Sequence, residues 1–233
     1  MYGLPLVSPS FFGRYVLLGA MLAMTALAQA AEPDPMEWPN WRGPQQNRVS
    51  TEKGLIDHWE PEGGPGSNLL WLREDLGGRS SPVVFQDRVY TIVRDQPATE
   101  REGEKVVCVD AATGHTLWEY RFNMYLTDVP DERIGWSCAV VDPETGRVYV
   151  QGVCGYFCCL DGKTGKVIWD RSLHEEFGLI STYGGRTNVP VILDDSVLIS
   201  AVLVGWGDTP QWGGLARPAH RFMGFDKATG ELR

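Results

Sequence analysis

Val107-Cys108-Val109-Asp110-Ala111-Ala112-Thr113-Gly114-His115-Thr116-Leu117-Trp118 decides the fold, because the chain says it again. Cys158-Cys159-Leu160-Asp161-Gly162-Lys163-Thr164-Gly165-Lys166-Val167-Ile168-Trp169 is a second copy. Met223-Gly224-Phe225-Asp226-Lys227-Ala228-Thr229-Gly230-Glu231-Leu232 is a third, running to the residue before the expected tryptophan. The copies recur at about 50 to 65 residues, a period typical of solenoids, propellers and arrays. Each residue type has a physical task. The apolar run before the aspartate is a strand. Asp-x-x-Thr-Gly is a tight turn, in which the carboxylate accepts from backbone N–H groups and the glycine takes the positive φ that closes a hairpin. The tryptophan four residues on lies on the next strand, where its ring can cover the neighbouring unit. Asp110, Thr113, Gly114, Trp118, Asp161, Thr164, Gly165, Trp169, Asp226, Thr229 and Gly230 are therefore structural residues of the repeat rather than catalytic ones.

Reading backwards from each turn gives four strands per unit. In the first unit they are 81–86, 88–93, 105–110 and 115–121. In the second they are 137–142, 147–153, 156–161 and 166–170. In the third, 188–193, 196–203 and 221–226 are followed by the start of a fourth. Gln86-Asp87, Pro143-Glu144-Thr145-Gly146 and Asp194-Asp195 supply the joining hairpins. Four antiparallel strands, repeated, make a propeller blade. The expected fold is all-β, with blades over about 79–121, 136–173 and 184–233. Residues 31–68 read as an extended N-terminal segment. Leu69-Leu70-Trp71-Leu72-Arg73 reads as a fourth strand without its first three. Three blades with a loose strand at either end imply a partial ring, a fragment of a larger propeller. Closure as four blades from the two ends is the alternative.

The Asp-x-x-Thr-Gly-x-x-x-Trp repeat resembles that of the pyrroloquinoline quinone (PQQ) repeat family of β-propellers. Trp38-Pro39-Asn40-Trp41-Arg42-Gly43-Pro44 is similar to the start of secreted bacterial members. The resemblance covers nearly all of the chain after residue 30. It implies a ring of seven or eight blades in the complete family fold, and it leaves function open, since fold does not fix activity.

Strand alternation puts all short turns on one face of the blades. The connections 94–104, 122–136, 171–187 and 204–220, all long, fall on the other. Long loops on a rigid scaffold are where binding usually resides. The ligand-face candidates are Trp136, Arg186 and Asn188, at the expected channel mouth, and Trp206, Asp208, Trp212 and Arg217, with His220, in the last loop. Tryptophans beside polar groups suit a sugar ring or a planar ligand, or pack against a neighbouring blade. Arg186 suits an anion or braces a neighbouring loop.

Composition narrows the partners. With 21 basic and 30 acidic residues the net charge is −9, which argues against nucleic acid. Residues 1–30 read as a secretory signal peptide. Arg14 precedes an uncharged run, Tyr15 to Leu27, too short for a comfortable span, and Ala28-Gln29-Ala30 matches a cleavage site. Export to the periplasm or beyond follows, with no membrane span after cleavage.

The function expected is a non-catalytic propeller that binds protein or glycan, with no cofactor and no metal. The enzyme alternative is a PQQ-dependent dehydrogenase of alcohols or sugars, which the resemblance would equip with PQQ and calcium. Some such enzymes carry a ring of adjacent cysteines over the cofactor. Cys158-Cys159 invites that comparison, but neighbours on a strand point to opposite faces. Cys108, Cys138, Cys154, Cys158 and Cys159 make an odd count without zinc spacing, most of them expected to be small apolar residues within strands.

Overall fold

A computed structural model of the chain describes residues 37–124, 133–180, 189–203 and 220–233. The expected signal peptide lies outside them. The first sheet runs β1 (Val83–Phe85), β2 (Arg88–Asp95), β3 (Gly103–Asp110), β4 (Thr116–Asn123) in that order. The second runs β5 (Val140–Val141), β6 (Arg147–Gln151), β7 (Tyr156–Asp161), β8 (Val167–Ser172). In the third, β10 (Val191–Leu193), β11 (Ser196–Leu203) and β12 (His220–Asp226) follow one another, and β9 (Leu179–Ile180) pairs with the far end of β11. Every pairing is antiparallel between sequence neighbours, except that of β9. These are propeller blades in an unclosed ring, the partial β-propeller that the repeat implies. Among the described residues no helix is long and apolar enough to cross a membrane.

Several local details depart from the sequence reading. The connection expected over 94–104 shortens to 96–102, because β2 and β3 stay paired out to Asp95 and Gly103. A short helix, α1 (Leu173–Phe177), follows β8, started by Ser172, whose hydroxyl accepts from the Glu175 N–H, and stopped by left-handed Gly178. Residues 69–73 alternate between half-buried and exposed as a strand would, yet join no sheet among the described residues, having no edge to pair with. Near the end of the chain only an isolated bridge, Phe225 to Leu232, stands for a fourth strand of the third blade.

The repeat turns behave as their residues dictate. The Asp110 carboxylate accepts from the Thr113 N–H and hydroxyl at 2.8 and 2.7 Å, and Asp161 and Thr164 repeat both distances. The threonine bond first, then the backbone N–H groups, hold Asp110 below the usual carboxylate range. At Asp226 the Thr229 N–H and Arg233 do the same, to about 2.

Between blades, each tryptophan lies on the next blade's turn. The indole N–H of Trp71, Trp118 and Trp169 donates to the carbonyl of Ala111, Gly162 and Lys227, at 2.8, 3.0 and 3.3 Å. Each acceptor is the residue after the turn aspartate. Tyr90 and Tyr149, third along β2 and β6, donate their hydroxyls to the same Gly162 and Lys227 carbonyls. Beneath each indole sits the turn glycine. A Cβ built on Gly114, Gly165 or Gly230 would come 2.6–2.7 Å from the ring of Trp71, Trp118 or Trp169. Two apolar clusters fill the space beneath. Val83, Ile92, Val106, Val148, Cys158 and Leu160 belong to the one joining blades 1 and 2, and Phe157, Leu173, Leu179, Ile199 and Phe225 to the one joining blades 2 and 3.

Gly165 and Gly146 separate the two demands placed on a turn glycine. Both are left-handed, at φ 71° and 69°, but a Cβ on Gly146 meets nothing within 4 Å. Gly146→Ala should therefore cost only the left-handed strain, about 1 kcal/mol. Gly165→Ala must also displace Trp118 and should cost about 2–3 kcal/mol more. Urea unfolding of both variants measures this. Equal losses would show that indole docking does not hold the blades.

Candidate functional site

The site grows from one buried acid at the long-connection end of blade 1. Glu104 sits on β3 in phase with Val106 and Cys108, so it points between the blades, and it is fully buried. One carboxylate oxygen accepts from Gly135 N–H, the other from Val153 N–H, both at 2.8 Å. A strand end of blade 1, the connection to blade 2 and the β6–β7 turn of blade 2 are thus pinned to one side chain. Burial pushes its pKa up to about 7, against the two amide bonds, which pull it down.

Trp136, the residue after Gly135, is half-buried. Guanidinium carbons of Arg79 and Arg133 lie 5.1 and 5.9 Å from its ring centroid. The connections into blades 1 and 2 also meet at Ser81, whose N–H points to the Cys138 sulfur at 3.2 Å. An indole bracketed by two cations, on a loop fixed from below, can hold a flat or anionic group. Of the ligand-face candidates, Trp136 and His220 lie within the described residues, His220 as the first residue of β12 opposite Val202 of β11. Arg186, Asn188, Trp206, Asp208, Trp212 and Arg217 lie outside them.

Three contributors here escaped the sequence reading. Arg79 precedes the first strand in a stretch with no repeat signal. Glu104 carried a usable signal: an acid on the inward phase of an otherwise apolar strand. Gln151 carried a similar one. It follows Tyr149 on the inward phase of β6, where blade 1 has Ile92. It is fully buried, and neither amide atom has a hydrogen-bond partner among the described residues. A buried amide left unbonded is costly and marks a place where a partner group would be favoured.

The opposite end is covered by the chain itself. Trp38 exchanges two backbone bonds with Val84 of β1, at 2.8 and 2.9 Å, and Pro39 accepts from Val141 N–H of β5 at 2.9 Å. Residues 40–48 fold back in tight turns, and the Trp38 ring lies over Gly43. The segment expected to be extended is therefore docked along the first strands of blades 1 and 2 at its start. A cavity of about 310 Å³ remains between it and the short turns of blades 2 and 3. There Lys227, nearly buried, pairs with Asp142 and Glu144 at 3.3 and 2.6 Å.

Chemically reactive groups are few. All five cysteines are buried free thiols. Burial pushes Cys108 and Cys159 up to about 12 and raises Cys158 strongly, so these three are not available thiolates. Cys158 and Cys159 lie in different interblade clusters, on opposite faces of β7. Among the described residues no three His, Cys, Asp or Glu side chains converge to hold a metal.

The sequence model of the family described as outer membrane protein assembly factor BamB, built on PQQ repeats, matches residues 102–233. No curated protein sequence matches the chain. Among solved structures, the chain is similar to quinohemoprotein alcohol dehydrogenase ADHIIG of Pseudomonas putida HK5, at 21% identity and a TM-score of 0.55, over 85% of this chain and 26% of that one. It is also similar to the quinohemoprotein alcohol dehydrogenase of Comamonas testosteroni (21% identity, TM-score 0.45, 67% and 20%). For BamB of Moraxella catarrhalis the values are 17% identity, TM-score 0.36, 65% and 49%. The chain thus spans between a fifth and a half of the length of these structures. At these identities the likeness is one of fold.

Glu104 makes a pH prediction. Its folded pKa, about 7, lies above its unfolded value of 4.5. Its stabilising contribution is then complete below about pH 4.5 and is lost as pH rises through about 7, by at most about 3 kcal/mol. The turn aspartates, with lowered values, act in the opposite sense and below their unfolded value of 3.8. Glu104→Gln should gain stability relative to wild type as pH is raised from 4.5 to 8, measured by urea midpoints. Parallel curves for the two proteins would refute the assignment.

Proposed function

The chain belongs to the PQQ-repeat β-propeller family, and from that premise we propose that it is an exported, non-catalytic binding propeller that engages a protein or glycan partner through its long-connection face. The observation that carries this reading is Trp136 held between Arg79 and Arg133 on a loop pinned by Glu104. The site presents an aromatic ring and two cations. Residues 38–48 dock at the opposite end, along the first strands of blades 1 and 2. The ligand-face residues Arg186, Asn188, Trp206, Asp208, Trp212 and Arg217 extend the same face in this reading. Export rests on the signal pattern of residues 1–30 and agrees with a family described by an outer-membrane assembly factor.

The second reading is a segment of a PQQ-dependent dehydrogenase, favoured by the fold likeness to ADHIIG and by the same indole and guanidinium pair, which suits a planar polycarboxylate. The described residues fit that cofactor incompletely. They bring no oxygen cluster together for calcium, and Cys158 and Cys159 are placed for packing rather than for a disulfide ring.

Two measurements decide between these readings. A photo-crosslinking residue at position 136 in exporting cells should give a discrete adduct that Arg79→Ser weakens, and the mature N-terminus should fall at about Ala31. The purified protein given PQQ and calcium should show neither the cofactor's absorbance nor dye-linked alcohol oxidation. Turnover there would overturn the binding role and favour the dehydrogenase.

A further inference from the structure

The outer wall of the propeller holds a second opening, separate from the Trp136 site. It lies between the outermost strands of blades 1 and 2 and has a volume of about 480 Å³. Strand β4 supplies Tyr120 and Phe122, strand β8 supplies Asp170, and the first turn of α1 supplies Glu175. Tyr156 of β7 completes the aromatic wall, stacked on Phe122 with centroids 5.0 Å apart.

A comparison within the molecule identifies what this groove lacks. The residue two beyond each docking tryptophan shares its face of the strand. At two junctions it is an arginine. Arg73 donates to the Gly114 carbonyl at 2.7 Å and pairs with Asp75. Arg171 donates to the Gly230 carbonyl at 2.8 Å, pairs with Glu176, and lies 5.5 Å from the Phe225 ring centroid. At the junction of blades 1 and 2 the same position is Tyr120. It turns to Tyr156, hydroxyl to hydroxyl at 2.6 Å, and Tyr156 in turn donates to Asp170 at 3.0 Å. That chain orients Asp170 without neutralising it. Asp170 and Glu175 have no ion pair among the described residues. The nearby Arg121 is engaged elsewhere, by Asp95, Asn123 and the Arg101 carbonyl. The groove thus offers an aromatic wall and two carboxylates, and the arginine that fills this position at the sister junctions is replaced by Tyr120.

We propose that the cleft between blades 1 and 2 is a binding site for an external guanidinium group, as of an arginine side chain, received between the Tyr120–Tyr156–Phe122 wall and the carboxylates of Asp170 and Glu175. A planar cation satisfies both walls at once, by contact with the rings and by paired N–H donation to a carboxylate. A neutral sugar would leave both charges unpaired. The site shares none of the residues Arg79, Arg133 and Trp136.

The probe is Nα-acetyl-arginine amide, titrated against the full chain by ligand-observed NMR. Its uncharged isostere, Nα-acetyl-citrulline amide, is the comparison. The arginine probe should bind about tenfold more tightly than the citrulline probe. Asp170→Asn and Glu175→Gln should each weaken it about threefold, as partly exposed ion pairs do, and together remove the preference. Tyr120→Arg, which restores the residue of the other junctions, should block the probe without loss of thermal stability. Equal affinity for the two probes, or unchanged binding by either the double variant or Tyr120→Arg, overturns the proposal.

Discussion

An indole laid on a glycine is the constraint from which the rest of this structure follows. The ring needs a flat seat, and the turn glycine beneath it leaves no room for a Cβ. Its N–H needs an acceptor, and the carbonyl after the turn aspartate supplies one. That carbonyl is in place because the N–H of the same residue is tied back to its own blade's first hairpin, at Asp87, Gly146 or Asp195. Turn, hairpin and neighbouring blade are thus fixed by one small cluster. Because the cluster links consecutive blades rather than strands within a sheet, it sets their mutual spacing. The apolar clusters then fill a gap whose width is already decided.

This explains why so much of the fold was legible. The docking cluster uses residue types that advertise themselves: aspartate, threonine, glycine and tryptophan at fixed spacing. Strand positions followed from them to within a few residues. The site was less legible, because its parts belong to no repeat. Trp136 could be placed at the long-connection end from strand alternation. Arg79 and Glu104 act on it across blades, and a contact between distant segments leaves no local pattern. The turns of residues 40–48 were also missed. Their hydrogen bonds are local, but the reason they form is docking on β1 and β5, which spacing within the segment does not express. Helix α1, at five residues, is too short for periodicity and is recognisable mainly by its caps, Ser172 and Gly178.

The two ends of the blades are built on opposite principles. At the short-turn end Lys227 pairs with both Asp142 and Glu144, and Trp38 and Pro39 occupy the open edges of β1 and β5. An unpaired strand edge is a hazard for association with other chains, so this cover protects as well as fills. At the long-connection end groups are left with capacity to spare. Arg79 is exposed, and the buried Gln151 amide has no hydrogen-bond partner among the described residues.

Repetition also makes departures informative. When three units share a scaffold, a residue that breaks the pattern is not required by the scaffold. Gln151 replaces an isoleucine, Tyr120 replaces an arginine, and Leu198 stands on β11 where Tyr90 and Tyr149 stand on β2 and β6. The leucine lacks the hydroxyl that Tyr90 and Tyr149 donate to the following blade's turn. The other two do the reverse. Gln151 leaves a buried amide unbonded among the described residues, and Tyr120 stands beside two exposed carboxylates that have no ion pair among them. Their presence here points to groups supplied from outside the described structure, and it separates the positions that make this a propeller from those that make it this particular one.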